Sequence, residues 1–504
     1  MHIVHLLGTT IYFVVLIGLS CYGLHRYLMI YLYYKHRKQK LEPAGTMNPL
    51  PRVTVQLPLY NEMYVAERLL ESVAALDYPQ DKLEIQVLDD STDETTDIVA
   101  RKAAELRRRG FDVQHIHRSH REGYKAGALQ NGLRSAKGEF IAIFDADFVP
   151  PSDLLQKTIH YFTDPTVGML QTRWGHLNEP YSLLTRIQSI FLDAHFLIEQ
   201  TARSRSGRFF NFNGTAGIWR RSCIEDAGGW QHDTLAEDLD ISYRAQIRGW
   251  KFLFLPDVVT PAELPVEMNA FKAQQHRWAK GSAQAMKKML PQLWRAQLPL
   301  KIKLEGTVHL TSTLGHLLLF LLCLVLRSTA YAGTHEASGG NELTKLFLVD
   351  VPLFLAASVS VTAFYFCPQV ALHAQWWKRI LYLPLMMAVG IGLCVNNARA
   401  VLEAIFNHQS EFVRTPKAGV QRKSDSWRGI KYQSFRGLIP YLEIAFGLYY
   451  TWFLYDVLRQ GLWVSASFVV LFQVGFFYVG LMSLIQSGPR LGRRAAPPLA
   501  AANV

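Results

Sequence analysis

Cysteine is scarce in this chain. Five cysteines among 504 residues, none at C-x-x-C spacing, form neither a disulfide framework nor a cysteine-ligated zinc site. Cys21, Cys323 and Cys394 fall in apolar stretches, where inert buried thiols are expected. Charge is thin too: Asp, Glu, Lys and Arg make up 19% of the residues, below the usual quarter. Internal repeats are absent, as are low-complexity tracts apart from a short Ala/Pro-rich tail. With 49% hydrophobic residues spread along most of the chain, disorder is excluded. The excess is in positive charge, 53 Lys+Arg against 41 Asp+Glu, or +12. That balance admits nucleic acid, a membrane surface or an anionic substrate; the placement of the charges decides among them.

The chain divides into three blocks. Residues 3–34 are mostly apolar or aromatic, with His5, His25 and Arg26 as basic interruptions. About 20 apolar residues suffice to cross a bilayer. No basic region precedes this block, whereas Lys35, Arg37, Lys38 and Lys40 follow it. That order predicts a signal anchor with its N-terminus outside, not a cleaved signal peptide, and a cytosolic domain behind it. Residues 50–300 read as that domain. Beyond Leu304 the apolar candidates are 304–330, 345–366, 380–406, 438–458 and 463–486. If all five crossed, the basic segment 407–436 would lie outside, against the positive-inside rule. The 380–406 stretch, interrupted by Pro384, Gly390, Gly392, Asn396, Asn397, Arg399 and Glu403, is therefore expected to lie along the cytosolic face. Five spans result, with the C-terminus inside. The expected organisation is a membrane helix at 1–34, the cytosolic domain at 35–300 and two membrane helices at 301–366. An interfacial helix and loop follow at 367–436, then two membrane helices and a basic tail at 437–504. The +12 is then largely topological, and nucleic acid loses its support as a partner.

Short β-rich runs at Val53–Leu57, Glu84–Leu88, Val113–His117, Glu139–Phe144 and Val167–Gln171 alternate with helical stretches near 63–76, 93–109, 124–136 and 152–163. The pattern predicts an α/β domain with a mostly parallel sheet. Ligands bind such sheets beyond the carboxyl ends of the strands. The polar residues placed there are Tyr60-Asn61-Glu62, Asp89-Asp90-Ser91 and Asp145-Ala146-Asp147.

Asp145 and Asp147 follow an apolar strand; if it stays extended, period two puts both carboxylates on one side. Hard oxygens so placed suit Mg2+ or Mn2+ bridging to a diphosphate, although D-x-D also serves as a turn or cap. Asp89 and Asp90 end a second strand before a helix whose cap is expected at Ser91 or Thr92. Arg118 and the run 121–127 form a basic, glycine-containing loop in which Lys125 can meet phosphate; a solvated basic turn fits it equally. Asp238, within Glu237-Asp238-Leu239-Asp240, is a candidate general base, against the plainer reading of an acidic helix N-terminus. Gln274, Arg277 and Trp278 fall on one helical face at i, i+3 and i+4, suited to a pyrophosphate and a sugar ring. A Trp–Arg anchor beside the bilayer competes with that reading.

In order, these motifs resemble the processive family 2 glycosyltransferases: cellulose synthases and, more closely, the cellulose-synthase-like mannan and glucan synthases. The closer phrases are QVLDDSTDET at 86–95, REGYKAGAL at 121–129, FDADF at 144–148, FNGTAGIWRR at 212–221 and QQHRW at 274–278. The resemblance implies a GT-A-like α/β domain carried on an α-helical transmembrane domain. It implies a donor site from Tyr60, Glu62, Asp89 or Asp90, Lys125, Asp145, Gln274, Arg277 and Trp278, with metal on Asp145 and Asp147. Asp238 becomes the base of an inverting transfer, and Gln171, Trp174, Asn213, Gly214, Thr215, Glu237 and Trp278 line the acceptor. Glu411–Lys417 resembles the family's F-x-V-T-x-K gating loop through Phe412, Thr415 and Lys417, with Arg414 where valine usually stands. Implied partners are UDP-glucose or GDP-mannose, a β-glycan acceptor, membrane lipids and a possible second copy of the chain. A transferase adding one sugar to a lipid, or a transporter or scaffold with an idle domain, are the alternatives. Few acids in the spans weaken a transporter.

Overall fold

The computed structural model describes residues 2–335, 353, 355–408, 415–427, 431 and 437–487. An α/β domain packs against a helical region built from both ends of the chain. Its sheet has seven strands: β1 Val53–Leu59, β2 Leu83–Asp89, β3 Asp112–His117, β4 Phe140–Ile143, β5 Val167–His176, β6 Gly217–Arg220 and β7 Lys251–Ala262, in the order β3-β2-β1-β4-β6-β5-β7. β1 pairs parallel with β2 and β4, and β2 with β3, whereas β6 runs antiparallel between β4 and β5. The sheet is mostly parallel, as expected, and is made mixed by β6 alone, which runs against the other six strands. β6 carries no helix-alternation signal, because the connection from β5 to β6 runs through the helical region, whereas β7 follows the helix Glu237–Ile247.

Strand β4 shows why this block folds as it does. Phe140 and Ala142 enter one apolar core with Leu69, Val99 and Ala103, while Ile141 and Ile143 enter the other with Leu129, Trp219 and Ile241. A strand buried on both faces reads as a continuous apolar run, and helices must cover both sides. Those helices are α2 Ala66–Ala74 and α3 Thr95–Arg108 on one face, and α4 Tyr124–Ser135 on the other. The cap of α3 differs from expectation: Glu94, not Ser91 or Thr92, stands at the N-cap and makes no side-chain capping bond, while Asp93 Oδ1 accepts from Thr95 N at 3.0 Å. Ser91 Oγ is instead engaged by the Asn61 backbone N–H at 2.8 Å.

In the helical region α1 spans His2–His36. From the domain, α5 Leu183–Asp193 begins with a capping box between Ser182 and Thr185, and α6 covers Glu237–Ile247. α7 Met268–Arg295 carries the chain onward to α8 Leu300–Thr311 and α9 Leu314–His335. α10 Ser360–Leu372, α11 Leu383–Gly392, α12 Cys394–Ile405, α13 Ile439–Arg459 and α14 Trp463–Gln486 complete it. Among the described residues, three helical stretches are long and apolar enough to cross a membrane, Thr10–His36, Leu355–Leu372 and Trp463–Gln486; two bent pairs raise the number to five. The expected single span 304–330 is one of those pairs, bent by 54° between α8 and α9. The 380–406 stretch belongs to the other, bent by 42°. α13 has the length but not the apolarity, because four tyrosines, Glu443 and Asp456 dilute it. The upper count matches the five expected spans, with 376–405 in place of 438–458. Most of 345–354 lies outside the described residues.

Candidate active site

The carboxyl ends of the strands open into a cavity of about 570 Å³. Tyr60, Glu62, Asp90, Lys125, Asp145 and Asp147 line it from the sheet, and Glu237, Asp238, Gln274, Arg277 and Trp278 from α6 and α7. The D-x-D pair does not continue β4. The strand ends at Ile143, Ala146 and Asp147 form a turn closed by Phe148 N donating to Asp145 O at 3.1 Å. Thus a turn, not an extended segment, brings both carboxylates to the cavity.

Each carboxylate carries an ammonium partner. Lys125 Nζ donates to Asp145 Oδ1 at 2.5 Å and to Gly214 O at 2.9 Å. Lys417 Nζ donates to Asp147 Oδ2 at 2.6 Å. Thr215 Oγ1 accepts from the Asp145 backbone N–H at 2.8 Å, fixing the start of the turn. Behind the turn, Glu263 follows β7 and its N–H donates to Asp147 O at 3.2 Å. Its carboxylate accepts from Ala418 N and Val420 N at 3.1 and 3.2 Å and from Arg68 Nη2 at 3.1 Å. Glu263 thereby ties the 415–420 segment to the metal-type turn. The rule of polar residues at strand ends would have found it, had β7 been recognised.

Asp238 sits in the first turn of α6, with Oδ1 accepting from Leu239 N at 2.8 Å. Burial, reinforced by the Glu237 charge, pushes its carboxyl up to about 7. Glu237 is also raised, first by burial, with Lys125 opposing. Gly214, at φ +80°, is where a side chain cannot stand: a Cβ there would lie 3.1 Å from Asp238 Oδ2 and 3.4 Å from Lys125 Nζ. Arg277 faces Asp145, Glu237, Asp147 and Asp238, which offset the burial that lowers its guanidinium; it stays a cation.

Trp174 forms one wall of the cavity, its ring 5.1 Å from Phe148 and 4.9 Å from Phe196. Its buried indole N–H has no hydrogen-bond partner among the described residues, leaving a flat face and one donor for a ligand. Beyond it the cavity passes His195 and Glu199 and reaches His309, Ser312 and His316 of the α8–α9 bend, Tyr365 of α10 and Asn397 of α12.

Three expected site residues, Asp89, Gln171 and Thr215, stand behind the cavity wall. Asp89 is fully buried, with Oδ2 taken by His115 Nε2 at 2.9 Å and His117 Nδ1 at 3.3 Å; Asp90 takes the cavity edge, held by Arg118 through two bonds of 2.7 and 2.6 Å. Gln171 is fully buried and spends its side chain on the backbone of Thr172, Asn213, Thr215 and Ala216. Gln171 and Thr215 shape the wall from behind; Asn213 and Gly214 present it. Phe412 lies outside the described residues, whereas Thr415 and Lys417 reach the cavity. Arg121, not assigned a role from the sequence, also lines it, its guanidinium 3.4 Å from the Tyr60 ring centre.

Residues 51–281 match the family model described as glycosyltransferase like family 2. A probable glucomannan 4-beta-mannosyltransferase of Oryza sativa subsp. japonica is 44% identical over 248 residues, 48% of this chain and 45% of that protein. The chain spans about half the length of that relative and of a second from the same organism, at 46%. A glucomannan 4-beta-mannosyltransferase of Arabidopsis thaliana is 32% identical over 450 residues, 85% of this chain and 77% of that protein. In fold, the chain is similar to a mannosyltransferase from Pyrobaculum calidifontis solved with GDP-Man and Mn2+ (TM-score 0.52, 24% identity, covering 79% of this chain and 99% of that one). The α/β domain is accordingly GT-A-like, and the chain belongs to family 2 of the glycosyltransferases, with cellulose-synthase-like relatives that are named glucomannan mannosyltransferases.

Proposed function

We propose that the protein transfers mannose from GDP-mannose to the end of a growing β-linked polysaccharide, by an inverting displacement at a membrane. The observation that carries this reading is the single cavity. It begins at paired carboxylates and cations and ends among helices apolar enough to be membrane spans. The names of the relatives support mannose as the transferred sugar and a β-1,4 linkage; UDP-glucose is the competing donor.

In this mechanism Asp238 accepts the proton of the acceptor hydroxyl as its oxygen attacks the anomeric carbon. The bond from that carbon to the diphosphate oxygen breaks on the opposite face, and the electron pair leaves with the diphosphate. Arg277 and Lys125 meet the charge that develops there, in a water-poor site where preorganised cations act strongly. The hard-oxygen set of Asp145 and Asp147 fits Mg2+ or Mn2+, which would neutralise diphosphate charge when bound. Lys125 and Lys417 pair with those carboxylates. Trp174 and Trp278 offer ring faces to acceptor sugars, and α6 and α7 hold the acceptor end over Asp238. The basic residues after α1 and between α12 and α13 support a cytosolic position for the catalytic domain.

The test incubates membranes containing the protein with labelled GDP-mannose or UDP-glucose and Mg2+ or Mn2+, then digests the product with linkage-specific hydrolases. Mannanase-sensitive polymer from GDP-mannose is expected. A lipid-extractable product bearing one sugar would replace the polymer reading with a lipid transferase.

A further inference from the structure

We propose that Asp89, His115 and His117 form a binding site for a divalent transition-metal ion of the zinc class, separate from the D-x-D pair. The site lies at the ends of β2 and β3. His115 and His117 are two apart on β3, so period two points both imidazoles to one side. Their register partners on β2 are Val87 and Asp89, which sets the carboxylate beside the imidazole pair. Both rings converge on one oxygen: Asp89 Oδ2 lies 2.9 Å from His115 Nε2 and 3.3 Å from His117 Nδ1. All three ligand atoms fall within 4.8 Å of one another. A tetrahedral ion with bonds of about 2.0–2.1 Å holds its donors about 3.3 Å apart, so the ligands need little movement to receive one.

The donor set differs in kind from the catalytic pair. Two imidazoles and one carboxylate select Zn2+, Co2+, Ni2+ or Cu2+, whereas Asp145 and Asp147 offer only hard oxygens to Mg2+ or Mn2+. Supporting contacts are in place: the other oxygen of Asp89 accepts from Ser91 N at 2.9 Å, which fixes the carboxylate orientation as ligand-supporting bonds do. Access is graded, with Asp89 fully buried, the His115 side chain 14% exposed and that of His117 41% exposed. An ion enters from solvent past His117 and binds the two ring nitrogens that face Asp89 in their unprotonated form. Each neutral imidazole carries its proton on the other ring nitrogen, any further proton passes to water, and a fourth position stays open for water. The site is coupled to the donor end of the cavity. Asp89 O accepts from Arg118 N at 3.0 Å, and the same arginine holds Asp90.

The experiment titrates Co2+ into the detergent-solubilised full chain, purified without a polyhistidine tag and with Mg2+ in excess to occupy the oxygen sites. One equivalent producing an intense tetrahedral visible spectrum is expected in the wild type and in Asp145→Asn. His117→Gln, a change at the surface, should weaken binding at least about tenfold, and His115→Gln/His117→Gln should abolish the spectrum. Zn2+ should raise the melting temperature of the wild type but not of the double variant. Undiminished stoichiometric binding in the double variant, or no saturable binding by the wild type, overturns the proposal.

Discussion

In the proposed mechanism the chemistry turns on Asp238, and its environment makes its titration testable. Removing the carboxylate as Asp238→Asn should lower turnover by about 10²–10⁴, the range of a lost general base. Only the ionised form accepts a proton, so activity should rise with pH as the carboxyl, held up to about 7, ionises. Burial is the larger cause of that elevation and the Glu237 charge the second. Glu237→Gln removes a nearby negative charge, which favours ionised Asp238 and moves the acid limb of kcat/KM to lower pH. An acid limb that stayed in place would show that burial alone sets the value. At Gly214 the argument is steric. Gly214→Ala puts a methyl against Asp238 and Lys125 on a left-handed backbone, so kcat should fall at least about tenfold, the cost of a small misplacement at a reacting centre; a kcat equal to wild type would show that the wall moves aside. Asp238, Asp145, Asp147 and the Gln274–Trp278 face were legible in the sequence because strand ends and helical periodicity aim their side chains. Asp89 was not: adjacent carboxylates look alike in sequence, and only the histidines on β3 decide that Asp89 turns inward while Asp90 faces the cavity.

Among elements, the 415–420 segment shows how a distant loop is brought to the D-x-D turn. Lys417 reaches Asp147, and Glu263 accepts two backbone N–H groups of the same segment. Hydrogen bonds to a charged group contribute about 1.5–3 kcal/mol each. Glu263→Gln keeps the shape but gives up the charge that also engages Arg68. Faster proteolysis within 415–427 and a several-fold lower kcat are expected. A variant with wild-type cleavage and turnover would mean that Lys417 alone seats the segment. The segment's place was anticipated from its likeness to a gating loop, but its anchor was not, because β7 hides from a strand search. Pro256 and Pro261 interrupt it, and its register with β5 shifts twice. β6 is four residues long, too short for alternation to register. The bends at 311–314 and near 393 were also invisible to hydropathy, which averages over a window and cannot see direction.

For the whole molecule the question is what fastens the catalytic domain to the helical region. A cluster of charges is buried between the parts. Arg203, from the short helix Thr201–Arg205, donates to Glu305 Oε1 of α8 at 3.0 Å and to Glu199 at 3.2 Å. His25 of α1 meets the same Glu305 at 3.0 Å. One carboxylate thus joins three segments that are distant in sequence, and both Arg203 and Glu305 are nearly inaccessible, at 2% and 3% exposed. Removing one member of such a pair strands the other without water, at about 3–5 kcal/mol; replacing both by apolar groups costs far less. Arg203→Met should therefore lower the melting temperature more than Arg203→Met combined with Glu305→Leu, as followed by tryptophan fluorescence in detergent. A double variant at least as unstable as the single one would show that the cluster acts through packing and not through charge pairing. The single variant should also lose turnover at temperatures where it remains folded, because the wall from His195 to His309 is assembled across this joint.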